Sequence, residues 1–515
     1  MMKLKRFLCL LLALLMTLGA LTACELSFDG SEVEEDEDDE KEEKRTKRPK
    51  ETSEDPSDTV GENETGEFGT TAPGENKNSA DEALDRLSGI NYGGGEFTVL
   101  YMNDYPGYAE ELNANPSEVS KLSDAVYERN VALEERCKLQ LALLPVPSFG
   151  ITETVKLEVT SATGDFQLIT APLAYTTVMA LDGWLQDFSA LDIDYQKNWW
   201  DQGTLDFSLG GHTYFMNGSY GIADKELTYV MMYNRDLQRE CGVPDLYTMV
   251  QDGEWTLDAL RTFSDNMSRD NGDGYWDEYD TYGFATDYNC LNSFYFGAGC
   301  KFIDSSRNVT VPELQFALET GLELADVLVN MVHGSSTYLA EQGEEANSLQ
   351  MFMDGRALFY CENLSYLRTL GQYTNGDYGI LPIPKYSKDQ EQYTTWTHHM
   401  GSTLSIPLSA TDKVGSQQLA GVLETYTVLS YKLVAPMYIR ELTTHNGEFN
   451  KNDASMLSMI FKNRVYDLAI YHSELMLFDM LPSCIASGNV TLASKYKSNQ
   501  RFAQKRLDKL FENFN

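Results

Sequence analysis

Basic residues are scarce: 40 lysines and arginines face 79 aspartates and glutamates over 515 residues, a formal net charge of −39. So acidic a chain argues against nucleic acid and anionic lipid headgroups as partners, though it says little about a neutral ligand. Histidine is rarer still, and the one doublet among the six, His398-His399, reads as loop rather than metal site. No HExxH, GxSxG or phosphate-loop motif occurs, and no GxGxxG follows a strand, so the usual metal, acyl-transfer and nucleotide signatures are missing. Past the N-terminus no run of eighteen apolar residues appears, so nothing there reads as a membrane span. Cysteine is thin as well. Setting aside Cys9 and Cys24 leaves Cys137, Cys241, Cys290, Cys300, Cys361 and Cys484, too few for a disulfide scaffold in a body this long. Cys290 and Cys300 are the nearest pair; a bridge there is one reading, and buried free thiols are the preferred one.

What is present begins at the N-terminus. Lys3, Lys5 and Arg6 precede an apolar run from Phe7 to Leu21, the length of a signal-peptide core and short for a stable span. Leu21-Thr22-Ala23-Cys24 then resembles a bacterial lipobox. The resemblance implies removal of residues 1–23 and lipid attachment at Cys24, with two or three acyl chains anchoring the protein where one would not. The alternative is ordinary cleavage leaving a free thiol. Ten of the twelve residues from Glu32 to Glu43 are acidic, Lys41 to Lys50 is a basic stretch, and small polar residues continue to about Asn78. Almost nothing here can offset its ordering entropy by burial, so residues 24–90 read as a disordered acidic tether. About sixty residues give a coil of roughly 45 Å and a contour near 200 Å. Plain solubilising filler is the other reading.

The remaining chain is long enough for two or more lobes. Aromatics make up 11% of the full sequence, with 30 tyrosines, side chains that join an apolar ring to a polar tip. Glu96–Met102 alternates as a strand does. Residues 117–138 carry apolar positions at helical spacing, residues 139–146 form a second strand and 166–171 a third, short and continuously apolar. Strand, helix, strand in this order means an α/β layer with a parallel sheet. Ligands of such sheets lie beyond the carboxyl ends of the strands, which points to Asn103, Asp104, Pro172 and Tyr175. Further strands are expected at 210–218, 227–234, after the helix of 348–359, at 378–383 and at 402–407. Helices are expected at 235–241, 255–267 with Thr256 as N-cap, 311–332, 413–432 and 455–475.

Five segments in this order carry a family resemblance: WWDQGTLDFSLGGHTYFMNGSY from Trp199, the Thr228 to Ser268 stretch beginning TYVMMYNRDL, MFMDGRALFYCENLSYL from Met351, DYGILPIPKY from Asp377 and GSTLSIPLSATDK from Gly401. The chain resembles the extracellular solute-binding proteins of ABC importers, in the sugar-binding group that includes maltose-binding protein. The resemblance covers about Glu96 to Tyr471. It implies an α/β, two-lobed periplasmic-binding-protein-like fold of class II, whose hinge the chain crosses several times. The lobes would be 95–225 with 403–435, and 226–402 with 436–515. It further implies a monomeric binding protein, anchored by lipid at the outer face of the cytoplasmic membrane of a Gram-positive cell. Closure over a carbohydrate would present the closed form to permease subunits.

A sugar pairs hydroxyl rims with apolar ring faces, so its pocket needs planar aromatics beside amide and acid groups. By place in the family pattern, Asn103 and Asp104 follow the first strand, Pro172 and Tyr175 the third, and Ser219 and Tyr220 the first crossover. The FYCEN segment offers Tyr360 and Glu362; the loop before Ser402 offers Trp396, His398 and Ser402 itself. Tyr220 has a hinge-packing reading, and Trp199-Trp200 read as packing.

DNGDGYWDEYD, from Asp270 to Asp280, alternates oxygen donors with glycine, as calcium loops do. Asp270, Asn271, Asp273, Asp277 and Asp280 are its candidate ligands for a structural calcium ion. The register is imperfect, because anchoring it on Gly274 puts Arg269 at the first position. An Asp/Gly-rich turn without metal is the alternative; no other cofactor is expected. Glycoside hydrolysis would need two carboxylates about 5 to 10 Å apart, which no sequence can display, and the expectation is a non-enzyme. A surface glycan holder, or a protein feeding a sensor without a permease, remains the second binding reading.

Overall fold

Two five-stranded sheets organise this computed structural model. It describes residues 79–114, 120–341, 344–373, 377–445 and 448–512; the expected signal peptide, Cys24 and the expected tether up to residue 78 lie outside them. The described residues all fall within one compact unit, and no described helix is long and apolar enough to cross a membrane.

The first sheet is built from β1 (Glu96–Met102), β2 (Gln140–Val146), β3 (Leu168–Pro172), β4 (Phe215–Met216) and, from much later in the chain, β10 (Ser402–Ser405). Its order is β2-β1-β3-β10-β4. β1 runs parallel to β2 and β3, while β10 is antiparallel to both its neighbours. The period-two pattern of β1 is used on both faces: Phe97 and Val99 enter one apolar cluster, Leu100 and Met102 the other. Pro145 sits on the edge strand β2, where its missing N–H costs no ladder bond. The second sheet contains β5 (Tyr229–Asn234), β6 (Tyr282–Asp287), β7 (Thr337–Ala340), β8 (Ala357–Asn363) and β9 (Tyr378–Leu381), in the order β9-β5-β8-β6-β7. β6 is parallel to β7 and β8, and β5 is antiparallel to β8 and β9. The chain passes between the sheets after β4, returns after β9, and passes again after the helix Ser416–Leu442, since Asp453 then accepts the backbone N–H of Ile380 on β9 at 2.8 Å.

Helices flank both sheets. Lys121–Cys137 starts on a Ser120 cap and stops where Lys138 turns left-handed, φ 53°; Leu257–Met267 starts on the expected Thr256 cap.

Several expectations change. Residues 79–86 are folded rather than tether: Ala80, Ala83 and Leu84 are buried, and Arg86 pairs with Glu424 of the helix Ser416–Leu442 at 2.6 Å. Small apolar residues at helical spacing suffice there because a long helix covers them. The expected strand at 210–218 shrinks to two residues, because Gly210 and Gly211 (φ 64° and 86°) form the turn between Leu209 and His212. The helix expected from 311 begins at Leu318, since Glu313–Leu314 pairs with Ile303–Asp304. The helix expected over 455–475 is broken: Lys451–Lys462 ends, Arg464–Val465 pairs with Thr395–Trp396, and short turns follow. All six described cysteines are free.

Candidate functional site

The carboxyl ends of the parallel strands in the two sheets meet at one seam. From the first sheet come Tyr105, after β1, and Tyr175, after β3; from the second come Ser365, Tyr366 and Arg368, after β8. The seam is bridged. Arg368 reaches Glu110 at 2.7 Å and Glu226 at 2.9 Å. Tyr108 donates to the Met400 carbonyl at 2.8 Å, and the N–H groups of Leu173 and Ala174 donate to the carbonyls of Gly401 and His399. The loop of residues 397–401 is therefore sewn to the first sheet on one side. On the other, the His398 N–H donates to Leu227 at 2.9 Å.

Behind Tyr366, at the tips of β6 and β8, lies an acidic group. Asp287, Cys290 and Glu362 are buried with ligand atoms within 4.8 Å of one another, the one such group of three among the described residues. Two carboxylates and a thiolate there could hold a metal ion. As it stands, burial and the adjacent Asp287 raise the Glu362 carboxyl well above its usual range, which favours its protonated form. The Cys290 thiol donates to the Cys361 carbonyl at 3.1 Å. Tyr360, on the same face of β8 as Glu362, is fully buried with no partner for its hydroxyl.

The predicted ligand residues divide. Tyr175, Glu362 and His398 stand at or next to the seam. His398 is neutral, lowered to about 3 by burial and the neighbouring His399, and its Nδ1 accepts the Met400 N–H. Asn103 and Asp104 are exposed, and the Asp104 carboxylate accepts the Ser148 N–H and hydroxyl, fastening the start of the helix Ser148–Ser161. Pro172 is buried and paired with Ser402 in the sheet. Trp396 is a core residue of the second lobe: its ring stacks on Tyr229 at 4.3 Å, packs against Phe296 and Phe478, and its N–H is bound to Ser293. Tyr220 packs on Tyr426 within the first lobe and donates to the Met216 carbonyl at 2.5 Å. Both aromatics, expected in the ligand cleft, are buried in packing instead.

Ser402 belongs to the hinge. Its hydroxyl donates to Glu111 at 2.9 Å and accepts the Asp224 N–H at 3.1 Å. The same Glu111 oxygen accepts the N–H groups of Ile222 and Ala223 at 2.9 and 3.2 Å. One buried carboxyl thus holds two crossovers, and burial pushes it up to about 8. Asp224 continues the chain of bonds to Arg464 at 2.8 Å; Arg464 also pairs with Asp201, which accepts from Tyr466 at 2.9 Å. Lys225 donates to the carbonyls of Gly218 and Gly221 at 2.8 and 2.6 Å.

In the acidic loop, Asp270 accepts from Gly272 and Gly274, Asn271 from Asp273, Asp273 from Tyr275, and Asp277 from Tyr279. Buried Asp280 accepts the N–H groups of Asn271 and Asp277. The side-chain oxygens are engaged by the loop's own backbone, a chain of Asx turns, and its acids do not converge as the Asp287 group does.

Sequence reasoning missed Tyr105, Asp287, Arg368 and the Glu111–Asp224–Arg464 hinge. The strand-end rule would have found Asp287 had it been applied to the second sheet as to the first. The hinge gives no local signal: Asp224 and Arg464 are 240 positions apart.

No family model and no curated protein matches the sequence. Solved structures do match in fold. The extracellular solute-binding protein from Staphylococcus aureus in complex with maltose aligns with a TM-score of 0.54 at 10% identity, covering 81% of this chain and 98% of that one. A sugar transporter from Rhizobium etli in an open conformation gives 0.53 at 10% identity, with 81% and 99% covered. The sugar-binding protein MalE from Xanthomonas citri gives 0.51 at 13% identity, with 81% and 97% covered. With its two sheets, repeated crossovers and a seam at the strand ends, the chain has the two-lobed α/β fold of these solute-binding proteins.

Proposed function

We propose that this protein binds a carbohydrate between its two sheets and delivers it to an ABC-type permease, held at the outer face of the cytoplasmic membrane by lipid on Cys24. The observation that carries the reading is the seam. Strand ends and the loop of residues 397–401 contribute tyrosines, imidazoles and a bridging arginine to one place, and Arg368 already reaches across to Glu110. A guest entering there would trade the Arg368–Glu110 contact for its own hydroxyls, and closure would order both halves around it. The neighbours that bind sugars share the fold and support the substrate class.

The test is a thermal-shift screen of mono- and oligosaccharides, followed by calorimetry and small-angle scattering on the hit. A true ligand raises the midpoint by mass action and changes the scattering radius. Arg368→Ala should alter both the radius of the ligand-free protein and the affinity. A Cys24→Ser chain should leave the membrane fraction for the medium. If no carbohydrate shifts the midpoint, or the hit binds equally well after Arg368→Ala and Tyr105→Ala together, the seam is not the site.

A further inference from the structure

Two places singled out by the sequence turn out otherwise. Ser219, expected in the ligand cleft, lines a hinge cavity with Trp199 and Trp200 instead. The 270–280 loop, expected to hold a cation, spends its side-chain oxygens on its own backbone. Among the described residues, potential metal ligands converge in a group of three at Asp287, Cys290 and Glu362, at the tips of β6 and β8.

Spacing, orientation, charge and one neighbouring hydroxyl set this group apart from an ordinary acid cluster. Cys290 Sγ lies 3.6 Å from Asp287 Oδ2. Two ligands of a tetrahedral zinc ion, sulfur at about 2.3 Å and oxygen at about 2.0 Å, sit about 3.5 Å apart. Asp287 Oδ1 accepts the N–H groups of Asn289 and Cys290 at 2.7 and 3.3 Å, which leaves Oδ2 turned to the sulfur. Glu362 Oε1 accepts both the N–H and the side-chain amide of Asn363 at 2.7 Å. Each carboxyl is thus anchored through one oxygen, as outer hydrogen bonds anchor metal ligands. The charges that act most on Glu362 and Cys290 are Asp287, Cys361 and each other, with no lysine or arginine among them. Two buried carboxyls beside a thiol are costly unless protons or a cation neutralise them. Tyr360 adds an independent sign. Its hydroxyl is fully buried without a partner, a costly state. Strand alternation puts it on the Glu362 face of β8, and Glu362, Cys290 and Asp287 are the charges that act on it most.

We propose that Asp287, Cys290 and Glu362 form a site for one divalent transition-metal ion of the zinc class, with the Tyr360 hydroxyl serving its fourth position. The thiolate selects against calcium and magnesium, which take oxygen ligands. The ion would tie the tip of β6 to the tip of β8 behind Tyr366, and so stiffen the second sheet's side of the seam.

The test uses the full chain, stripped with a chelator and then given zinc, cobalt or calcium. Zinc should raise the unfolding midpoint by mass action and bind roughly tenfold or more tightly than calcium by calorimetry. Cobalt should give the near-ultraviolet sulfur-to-metal charge-transfer band that a bound thiolate produces. Cys290→Ser should abolish that band, while Cys300→Ser, at a half-buried cysteine outside the group, should keep it. Tyr360→Phe is a second variant, safe for the fold because it removes a hydroxyl that bonds nothing. Its metal-free midpoint should hold, and its zinc affinity should fall about tenfold. The proposal is overturned if zinc binds no more tightly than calcium, or if the cobalt band is absent. It is overturned equally if the band survives Cys290→Ser in a protein with native circular dichroism, which would mean adventitious binding only, or if Tyr360→Phe binds zinc as the wild type does. Failure here leaves the seam assignment standing, because that site is read with neutral glycans and the Arg368→Ala variant.

Discussion

Glu111 offers the sharpest quantitative test. Its carboxyl is fully buried, holds Ile222, Ala223 and Ser402, and is pushed up from an ordinary value of 4.5 to about 8, first by burial and then by the charge of Asp224. The sign follows from linkage. Between pH 4.5 and 8 the folded protein keeps this proton while the unfolded chain has lost it, so stability falls as pH rises through that window. At about 1.4 kcal/mol per unit, going from pH 5 to pH 8 removes on the order of 4 kcal/mol through this one group. Glutamine cannot ionise, yet its carbonyl can accept all three bonds. Urea unfolding of wild type and Glu111→Gln at pH 5, 6.5 and 8 should therefore show the variant gaining roughly that amount relative to wild type across the series. Glu226 and Asp467, raised to about 7 and about 6, slope the same way in both proteins and cancel in the difference. Glu111→Ala, by contrast, strands three donors and should destabilise at every pH, at about 1–3 kcal/mol for each donor. Parallel stability curves for wild type and Glu111→Gln would refute the claim that a neutral carboxyl locks the crossovers.

Two further outcomes are expected. Gly283 on β6 lies against the helix Leu257–Met267 so closely that a methyl group would overlap the backbone of Ser264. Gly283→Ala should cost about 3 kcal/mol or more, seen as a drop in melting temperature; an unchanged midpoint would show that helix and strand can separate without penalty. His398, lowered to about 3, should show no imidazole titration by NMR between pH 5 and 8, and a midpoint near 6.5 would mean the loop of residues 397–401 is open to water.

Much of the framework was readable locally. β1, β2, β3 and β5 announce themselves by alternation or by short apolar runs, and the Lys121–Cys137 and Leu257–Met267 helices by periodicity with a capping residue. What the sequence hid depends on partners far along the chain. The 79–86 helix exists because Ser416–Leu442 covers its alanines. Ser148–Ser161 is rich in threonine and valine and makes a poor helix in isolation. The candidate site was half visible. Strand ends placed Tyr175 at the seam, but Trp396 and Tyr220 went into packing, since a tyrosine or tryptophan codes equally for a binding face and for a core. The break near residue 463 was invisible because its cause, pairing of Arg464 with Asp201 and Asp224, is electrostatic and remote.

That pairing, with the late arrival of β10, bears on how the molecule is made. β10 is inserted between β3 and β4, so the first sheet stays split into two unzipped pieces until residue 405 has been synthesised. Its two hinge aspartates stay without their guanidinium for some sixty residues more. Folding from the N-terminus cannot finish the first half before the second has been made. Open strand edges of this kind invite aggregation, and these stay open until β10 has been made.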